Sequence, residues 1–281
     1  MIESSSNAQV KNVIRLLKNS RERKKQNSYI IEGPKMVLEA LKAGAVNKVY
    51  ISDTMWSMLN SAQWNAEYSN NRLAHVSAEA AREMIAACNY DIVKDSVFAA
   101  MNDTVVPQGI IAVASIPGKD IDSLLSLSAD KAVRRYIVVE NLQDPGNLGT
   151  IFRTAEAAGF DGLLMSRGTV DVYNPKVVRS TMGAILRMPH AYCDNIGIII
   201  DKCKSFGISL MGAALDGRDI RQAEYPDSLA ILIGNESNGL TDDALSGCNM
   251  KVRIPMAGDA ESLNASVAAG VLMYMSSLSF L

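Results

Sequence analysis

The chain of 281 residues has two histidines and four scattered cysteines, and each shortage excludes something. Cys88, Cys193, Cys203 and Cys248 form no C-x-x-C pair. That pattern fits reduced thiols in a cytoplasm better than a disulfide framework or a zinc site. His75 and His190 stand alone and read as surface or packing residues, too few for a metal cluster and a poor basis for a Ser-His-Asp triad. No apolar run approaches the roughly 20 residues that span a bilayer. The opening "MIESSSNAQVKN" has neither the charged start nor the apolar stretch of a secretory signal, so none is expected there. No G-x-G-x-x-G follows an early strand, and no G-x-x-x-x-G-K-[ST] is found. These absences argue against an ordinary dinucleotide site and against a P-loop nucleotidase.

The composition, with 48% hydrophobic and 21% charged residues, is that of a globular protein. Its length favours two domains over one core. Net charge is −2, which does not advertise a nucleic-acid partner. The distribution is less even. Residues 11 to 25 hold Lys11, Arg15, Lys18, Arg21, Arg23, Lys24 and Lys25 against Glu22 alone. This local charge of +6 leaves −8 on the rest of the chain. Such a segment is either a footprint for phosphate or a solvated helix face.

Periodicity predicts an α/β protein. "SNAQVKNVIRLL" reads as an amphipathic helix with Val10, Val13, Ile14 and Leu17 on one side. Strands are expected at "SYIIEG", "VNKVYIS", the start of "AHVSAEAAREMIAAC" and "QGIIAVAS", with helices between them. This alternation defines a small N-terminal α/β domain over 1–116. "IPGKDIDSLLSLSADKAVRR" is polar, contains Pro117 and Gly118, and reads as a linker over 117–133. From 134 to 281 come longer apolar strands, "YIVVENL", "GLLMS", "ISLMGAAL", "LAILIG" and "KVRIPM". Continuous runs of this kind suit parallel strands buried on both faces. There is no internal repeat and no low-complexity tract.

Ligands in open parallel sheets sit beyond the carboxyl ends of the strands, so the loops there carry the chemistry. Three share one design of strand, glycine-rich polar loop and helix: "VVENLQDPGNLGTIFRTAEAAG", "ILIGNESNGLTDDAL" and "RIPMAGDAESLNASVAAG". In the first, Asn147 is placed to cap the helix, and Gly146 and Gly149 leave its surface bare for a close approach. Asn147, Thr150 and Arg153 follow at three-residue spacing on neighbouring parts of one face. Arg153 either grips a phosphate with its fork of donors or makes a surface salt bridge. In the second loop, Glu236 between Gly234 and Gly239 is either solvated in a turn or partners an arginine. In the third, Ser262 is placed to cap the last helix, with Asn264 in its first turn. Ala265, Ser266, Ala268, Ala269 and Gly270 then leave that helix narrow enough for tight packing.

Together the three loops resemble the three sequence motifs of the SpoU (TrmH-like) RNA ribose 2′-O-methyltransferases of the SPOUT superfamily. "NLQDPGNLGTIFRTAEAAG" is similar to motif one, "IGNESNGL" to motif two and "IPMAGDAESLNASVAAGV" to motif three. "DVYNPKVVRSTMGAI" between them also matches the family's pattern, and "YIIEGPKMVLEAL" resembles the opening of its substrate-binding domain. The resemblance implies a mostly parallel methyltransferase domain with a trefoil knot, a homodimer, and no metal or membrane. It implies S-adenosylmethionine as cofactor, at Gly212, Gly234, Asn235, Ile254 and Leu263. It gives catalytic roles to Arg153, Asn147, Glu236, Ser262 and Asn264. The +6 segment is expected to supply RNA contacts through Arg21, Arg23, Lys24 and Lys25, and Arg179 is a further expected RNA contact. The implied substrate is a ribose 2′-hydroxyl of ribosomal RNA, in the 23S molecule. The same chemistry on transfer RNA, or a non-catalytic RNA-binding assembly factor, are the alternatives, and the intact motif residues speak against the last.

Overall fold

A computed structural model describes residues 1–61, 64, 76–104 and 106–277. Contacts divide the chain into two units, Met1–Pro117 with Tyr173–Arg179, and Gly118–Val172 with Ser180–Leu281.

The first unit is built on a four-stranded mixed sheet. Its strands are β1 (Ser28–Glu32), β2 (Val46–Ser52), β3 (Tyr90–Val93) and β4 (Ile110–Ser115), in the order β1-β4-β2-β3. β4 is antiparallel to both β1 and β2, whereas β3 runs parallel to β2. The third expected strand, at "AHV", lies mostly outside the described residues, as does His75; Val76 is not in a strand. The short β3 that takes its place has one buried residue, Val93, in four, which gives no apolar alternation to read. The amphipathic helix forms as Ala8–Lys18, capped by the Asn7 side chain. Val10, Val13, Leu16 and Leu17 on its inner face pack with Ile30, Tyr50 and Ile111 of the sheet.

The second unit holds a six-stranded sheet, all of whose pairings are parallel. Its strands are β5 (Arg134–Val139), β6 (Gly162–Ser166), β7 (His190–Cys193), β8 (Ser209–Asp219), β9 (Ser228–Ile233) and β10 (Met250–Arg253). Their order is β10-β8-β9-β5-β6-β7. The sequence pattern missed β7, a four-residue edge strand behind Pro189. β5, β6 and β9 are buried along nearly their whole length, which accounts for their unbroken apolar runs. His190 is a packing residue. It is buried, its ring meets Phe152 edge-on, and burial holds its pKa below the ordinary value.

Two stretches depart from the sequence boundaries. The expected linker 117–133 contains the helix Ile121–Ser126, whose Ile121, Leu124 and Leu125 are buried in the core of the second unit. Its apolar residues are spaced for one helical turn, and the polar residues around them masked the signal. Tyr173–Arg179, read as part of the second domain, belongs by contacts to the first unit, where Tyr173 meets the ring of Tyr29. No helix among the described residues is long and apolar enough to cross a membrane.

Candidate active site

β8 and β10 pair as Met211↔Met250 and Gly212↔Lys251, and then the register jumps to Arg218↔Val252. Residues 213–217 therefore leave the ladder. Ala213, Ala214, Leu215 and Asp216 line a cavity of about 480 Å³ beside the carboxyl end of β9. That size lies within the usual range for a small-molecule site. The other walls come from the second and third loops. They include Gly234 to Leu240, Ile254, Met256, Ser262, Leu263, Ala265, Ala268 and Leu272.

Glycine is required where these walls close on themselves. A Cβ at Gly234 would lie 2.1 Å from the Gly239 carbonyl carbon and 2.2 Å from the Leu240 nitrogen. Asn235 and Gly239 exchange backbone hydrogen bonds of 3.0 and 2.9 Å, and Gly239 has φ +66°, a left-handed conformation. The Asn235 side chain holds the loop rather than facing outward. Its Oδ1 accepts from the Ser237 and Asn238 N–H groups, and its Nδ2 donates to the Asn141 carbonyl at 2.9 Å. Gly212 does not line the cavity. It lies one residue before the wall begins, and a Cβ there would meet Cys248, Leu240 and Leu245 at 3.0 to 3.3 Å.

The first loop leads into the helix Pro145–Ala157. Its cap is Asp144, whose Oδ1 accepts from the Asn147 N–H at 2.7 Å, and Pro145 fills the first helical position. Asn147 is thus freed from capping and is buried, 8% exposed. The bare surface at Gly149 is taken by the chain itself, because a Cβ there would come 1.8 Å from Ser180 Oγ. The glycine serves an internal close approach and leaves no opening for a ligand.

One hydrogen-bond chain joins all three loops. Glu236 Oε1 accepts from the Asp144 N–H at 3.0 Å and from Asn147 Nδ2 at 3.1 Å, and Oε2 accepts from the Gln143 N–H at 3.2 Å. Asn147 Oδ1 accepts in turn from Asn264 Nδ2 at 3.0 Å. Asn264 Oδ1 accepts from the Ser266 N–H at 2.9 Å, which makes Asn264 the cap of the last helix, Ala265–Ser277. Ser262, the expected cap, lies in the cavity wall instead. Partial burial acts to raise the Glu236 pKa, but the donors from Asn147, Asp144 and Gln143 outweigh it and hold the group below its ordinary value. This carboxylate stays ionised and fully engaged, as a clamp between two loops.

Arg153 is not part of this chain. Two three-residue steps along a helix fall about 120° short of two full turns. Asn147 therefore faces the loops, while Thr150 and Arg153 lie exposed. Arg153 is not among the residues lining the cavity.

The basic residues of the first unit divide in the same way. Arg21, Lys24 and Lys25 are exposed on the helix Ser20–Gln26. Arg23 is buried, 4% exposed, and its Nη1 donates to the Leu16 and Leu17 carbonyls at 2.6 and 3.1 Å. These are end carbonyls of the preceding helix, so Arg23 is a capping residue and its placement at an RNA surface is corrected. Arg179 faces Glu32 at 3.6 Å and Asp103 at 3.5 Å in the first unit, so its charge is locally compensated. No group of His, Cys, Asp and Glu suited to a metal is found among the described residues.

Comparison with known proteins gives the site its setting. Residues 134–274 match the SpoU rRNA Methylase family, and residues 7–112 match the MRM3-like substrate binding domain. The 23S rRNA (guanosine(2553)-2′-O)-methyltransferase RlmP of Bacillus subtilis strain 168 is 30% identical over 97% of each chain. Two solved structures are similar along the whole chain. An AdoMet-bound rRNA methyltransferase from Sinorhizobium meliloti has a TM-score of 0.83 at 25% identity, covering 100% of this chain and 98% of its own. The SpoU methyltransferase AviRb from Streptomyces viridochromogenes has a TM-score of 0.78 at 26% identity, with 97% of each chain covered. By motifs, sheet order and full-length likeness, this chain belongs to the SpoU rRNA methylase family.

Proposed function

We propose that the protein methylates a ribose 2′-hydroxyl of 23S ribosomal RNA, with S-adenosylmethionine as the methyl donor. The observation that carries this reading is the glycine-shaped cavity whose walls are tied to Asn147 through Glu236 and Asn264. The cavity fits the cofactor. It is walled by close backbone and by small and aliphatic side chains, which suit a flat base and an uncrowded sulfonium, and its polar lining residues are Asp216, Asn235, Glu236, Ser237, Asn238, Arg253 and Ser262. Gly234, Asn235, Ile254 and Leu263 would hold it. When bound, the cofactor supplies an electrophilic methyl group whose sulfur departs as a neutral thioether.

The protein's task is then to position the 2′-hydroxyl and to assist loss of its proton. Glu236 is a poor acceptor for that proton, because three donors already occupy its oxygens. Arg153 is excluded as a base, since a guanidinium stays protonated in proteins. Arg153 instead holds the phosphate beside the target and stabilises negative charge developing on the 2′-oxygen. The proton leaves to a phosphate oxygen or water. Asn147, fixed by Glu236 and Asn264, orients the ribose, and Ser262 shapes its site. The exposed Arg21, Lys24 and Lys25 of the first unit supply phosphate contacts.

Two further features complete the reading. A trefoil knot is part of this reading through the family resemblance, and β10, the last strand, returns to the sheet edge beside β8 with a break in register. There a Cβ at Gly217 would lie only 2.5 Å from the Val252 backbone. A homodimer is supported by Val267 and Tyr274, both exposed on the last helix, and by Arg153, exposed on the helix that packs against it. An Arg153 that points away from its own cavity serves the reaction if it reaches the cavity of a second copy. A ribosomal substrate and four free cysteines fit a cytoplasmic enzyme.

The test is transfer of a labelled methyl group from S-adenosylmethionine to ribosomal RNA that lacks the modification, with digestion to nucleosides. A labelled 2′-O-methylnucleoside from the 23S molecule is expected. Label on a base, on transfer RNA only, or on no RNA despite cofactor binding would overturn the assignment.

A further inference from the structure

Glu140 follows β5 and stands outside every role given above. It is 2% exposed, and a buried carboxylate is costly unless its oxygens are matched by donors. Both oxygens are matched by one residue. Oε2 accepts from the Thr241 N–H at 2.9 Å, and Oε1 accepts from the Thr241 hydroxyl at 2.8 Å. The Glu140 backbone N–H donates to the Ile233 carbonyl at 2.9 Å. Glu140 therefore holds the two ends of the segment between Ile233 and Thr241, and residues 234–240 of that segment line the cavity. The Thr241 hydroxyl is committed in both directions. It donates to Glu140, and it accepts from the Ala244 N–H at 3.2 Å as cap of the helix Asp242–Gly247. Leu240, next to Thr241, is buried, lines the cavity, and supplies one of the backbone atoms that Gly234 must be a glycine to approach. The near end of the same segment is held separately by Glu236.

We propose that Glu140 is a positioning residue for cofactor binding, and that its grip on Thr241 sets the far side of the Gly234–Leu240 loop in the shape that accepts S-adenosylmethionine. The inference rests on the reading of the cavity as the cofactor site. It assigns Glu140 to affinity and leaves the transfer step to other residues.

The test compares Glu140→Gln, Thr241→Val and Thr241→Ser in the full chain. Calorimetry gives the dissociation constant for S-adenosylmethionine, and methylation assays separate its KM from kcat. Glutamine offers one acceptor oxygen where two donors converge, and valine removes the hydroxyl. Outer partners that orient ligand-binding groups change affinity by roughly 10–100-fold where this has been measured at metal sites. Glu140→Gln and Thr241→Val should raise the dissociation constant and KM together by about tenfold or more, with kcat at saturating cofactor nearly unchanged. Thr241→Ser keeps both donors and should restore wild-type affinity. A folded Glu140→Gln protein that binds like wild type, or that loses kcat with KM unchanged, would overturn the inference. If Glu140→Gln does not fold, the serine and valine variants decide: equal affinity in the two overturns it. Wild-type protein that fails to bind S-adenosylmethionine would remove the functional reading and this inference with it. Normal wild-type binding with indifferent variants would remove the inference alone.

Discussion

Arg153 and Asn147 sit six residues apart on one helix and face different surroundings. Asn147 has both ends of its amide engaged, with Nδ2 donating to Glu236 and Oδ1 accepting from Asn264. Among the described residues nothing comparable holds Arg153, which suits a group meant to meet a substrate. Arg153→Lys keeps the charge and loses the planar fork. We expect methyl transfer to fall by about 10²–10³-fold, as when one preorganised donor is lost. The dissociation constant for S-adenosylmethionine should hold, since Arg153 does not line the cavity. Single-turnover rates and calorimetry on one preparation check both. Near-normal turnover would take Arg153 out of the mechanism. Sequence reading singled out Asn147, Glu236 and Asn264, which hydrogen bonds join across the three loops, and misjudged two caps. The Asp-Pro pair at 144–145 was the missed signal, because an acceptor before a first-turn proline marks the true cap. Asn264 rather than Ser262 caps the last helix for a reason no spacing shows: the Asn264 amide also reaches Asn147 across the fold.

At the scale of elements, the sequence showed strands best where they are buried on both faces, as in β5, β6 and β9. It failed at β3 and β7, four residues each, which are edges recruited by their neighbours. The glycines were visible but their uses were not, since a close approach depends on which segment the fold brings near. Gly149 meets Ser180, whereas Gly234 meets its own loop. Gly234→Ala forces the Gly239–Leu240 backbone aside, an overpacking that typically costs roughly 1–3 kcal/mol. It should lower the melting temperature and abolish measurable cofactor binding. Gly258→Ala, in the third loop with open space around it, should do neither. Equal behaviour of the two would mean that the Gly234 loop is not the cofactor wall. The basic helix Ser20–Gln26 divides likewise. Replacing Arg21, Lys24 and Lys25 with glutamine should flatten the salt dependence of RNA binding by about 0.7–0.9 log–log units per lost phosphate contact. Arg23→Gln should instead destabilise the first unit, because it strips the Leu16 and Leu17 carbonyls of their donor. A slope unmoved by the triple change would make this helix face a solvated surface only.

For the whole molecule, the question is whether one copy of the chain contains a complete site. The cavity, its glycines and the Glu236–Asn147–Asn264 chain belong to a single copy, and the exposed Arg153 lies off the cavity wall. If the enzyme works as a homodimer in which each cavity borrows the arginine of the other copy, two inactive variants should repair one another. Arg153→Ala leaves a sound cavity without its arginine. Gly234→Val leaves a sound arginine beside a cavity closed by the added side chain. Random reassortment makes half the dimers mixed, and each mixed dimer has one complete site of two. The mixture should therefore recover about a quarter of wild-type activity, from two proteins that are inactive apart. Native mass spectrometry of the mixture measures how many mixed dimers have formed. Abundant mixed dimers without recovered activity would mean that Arg153 acts within its own chain. A chain that stays monomeric at assay concentration while methylating RNA would remove the dimer from the reaction altogether.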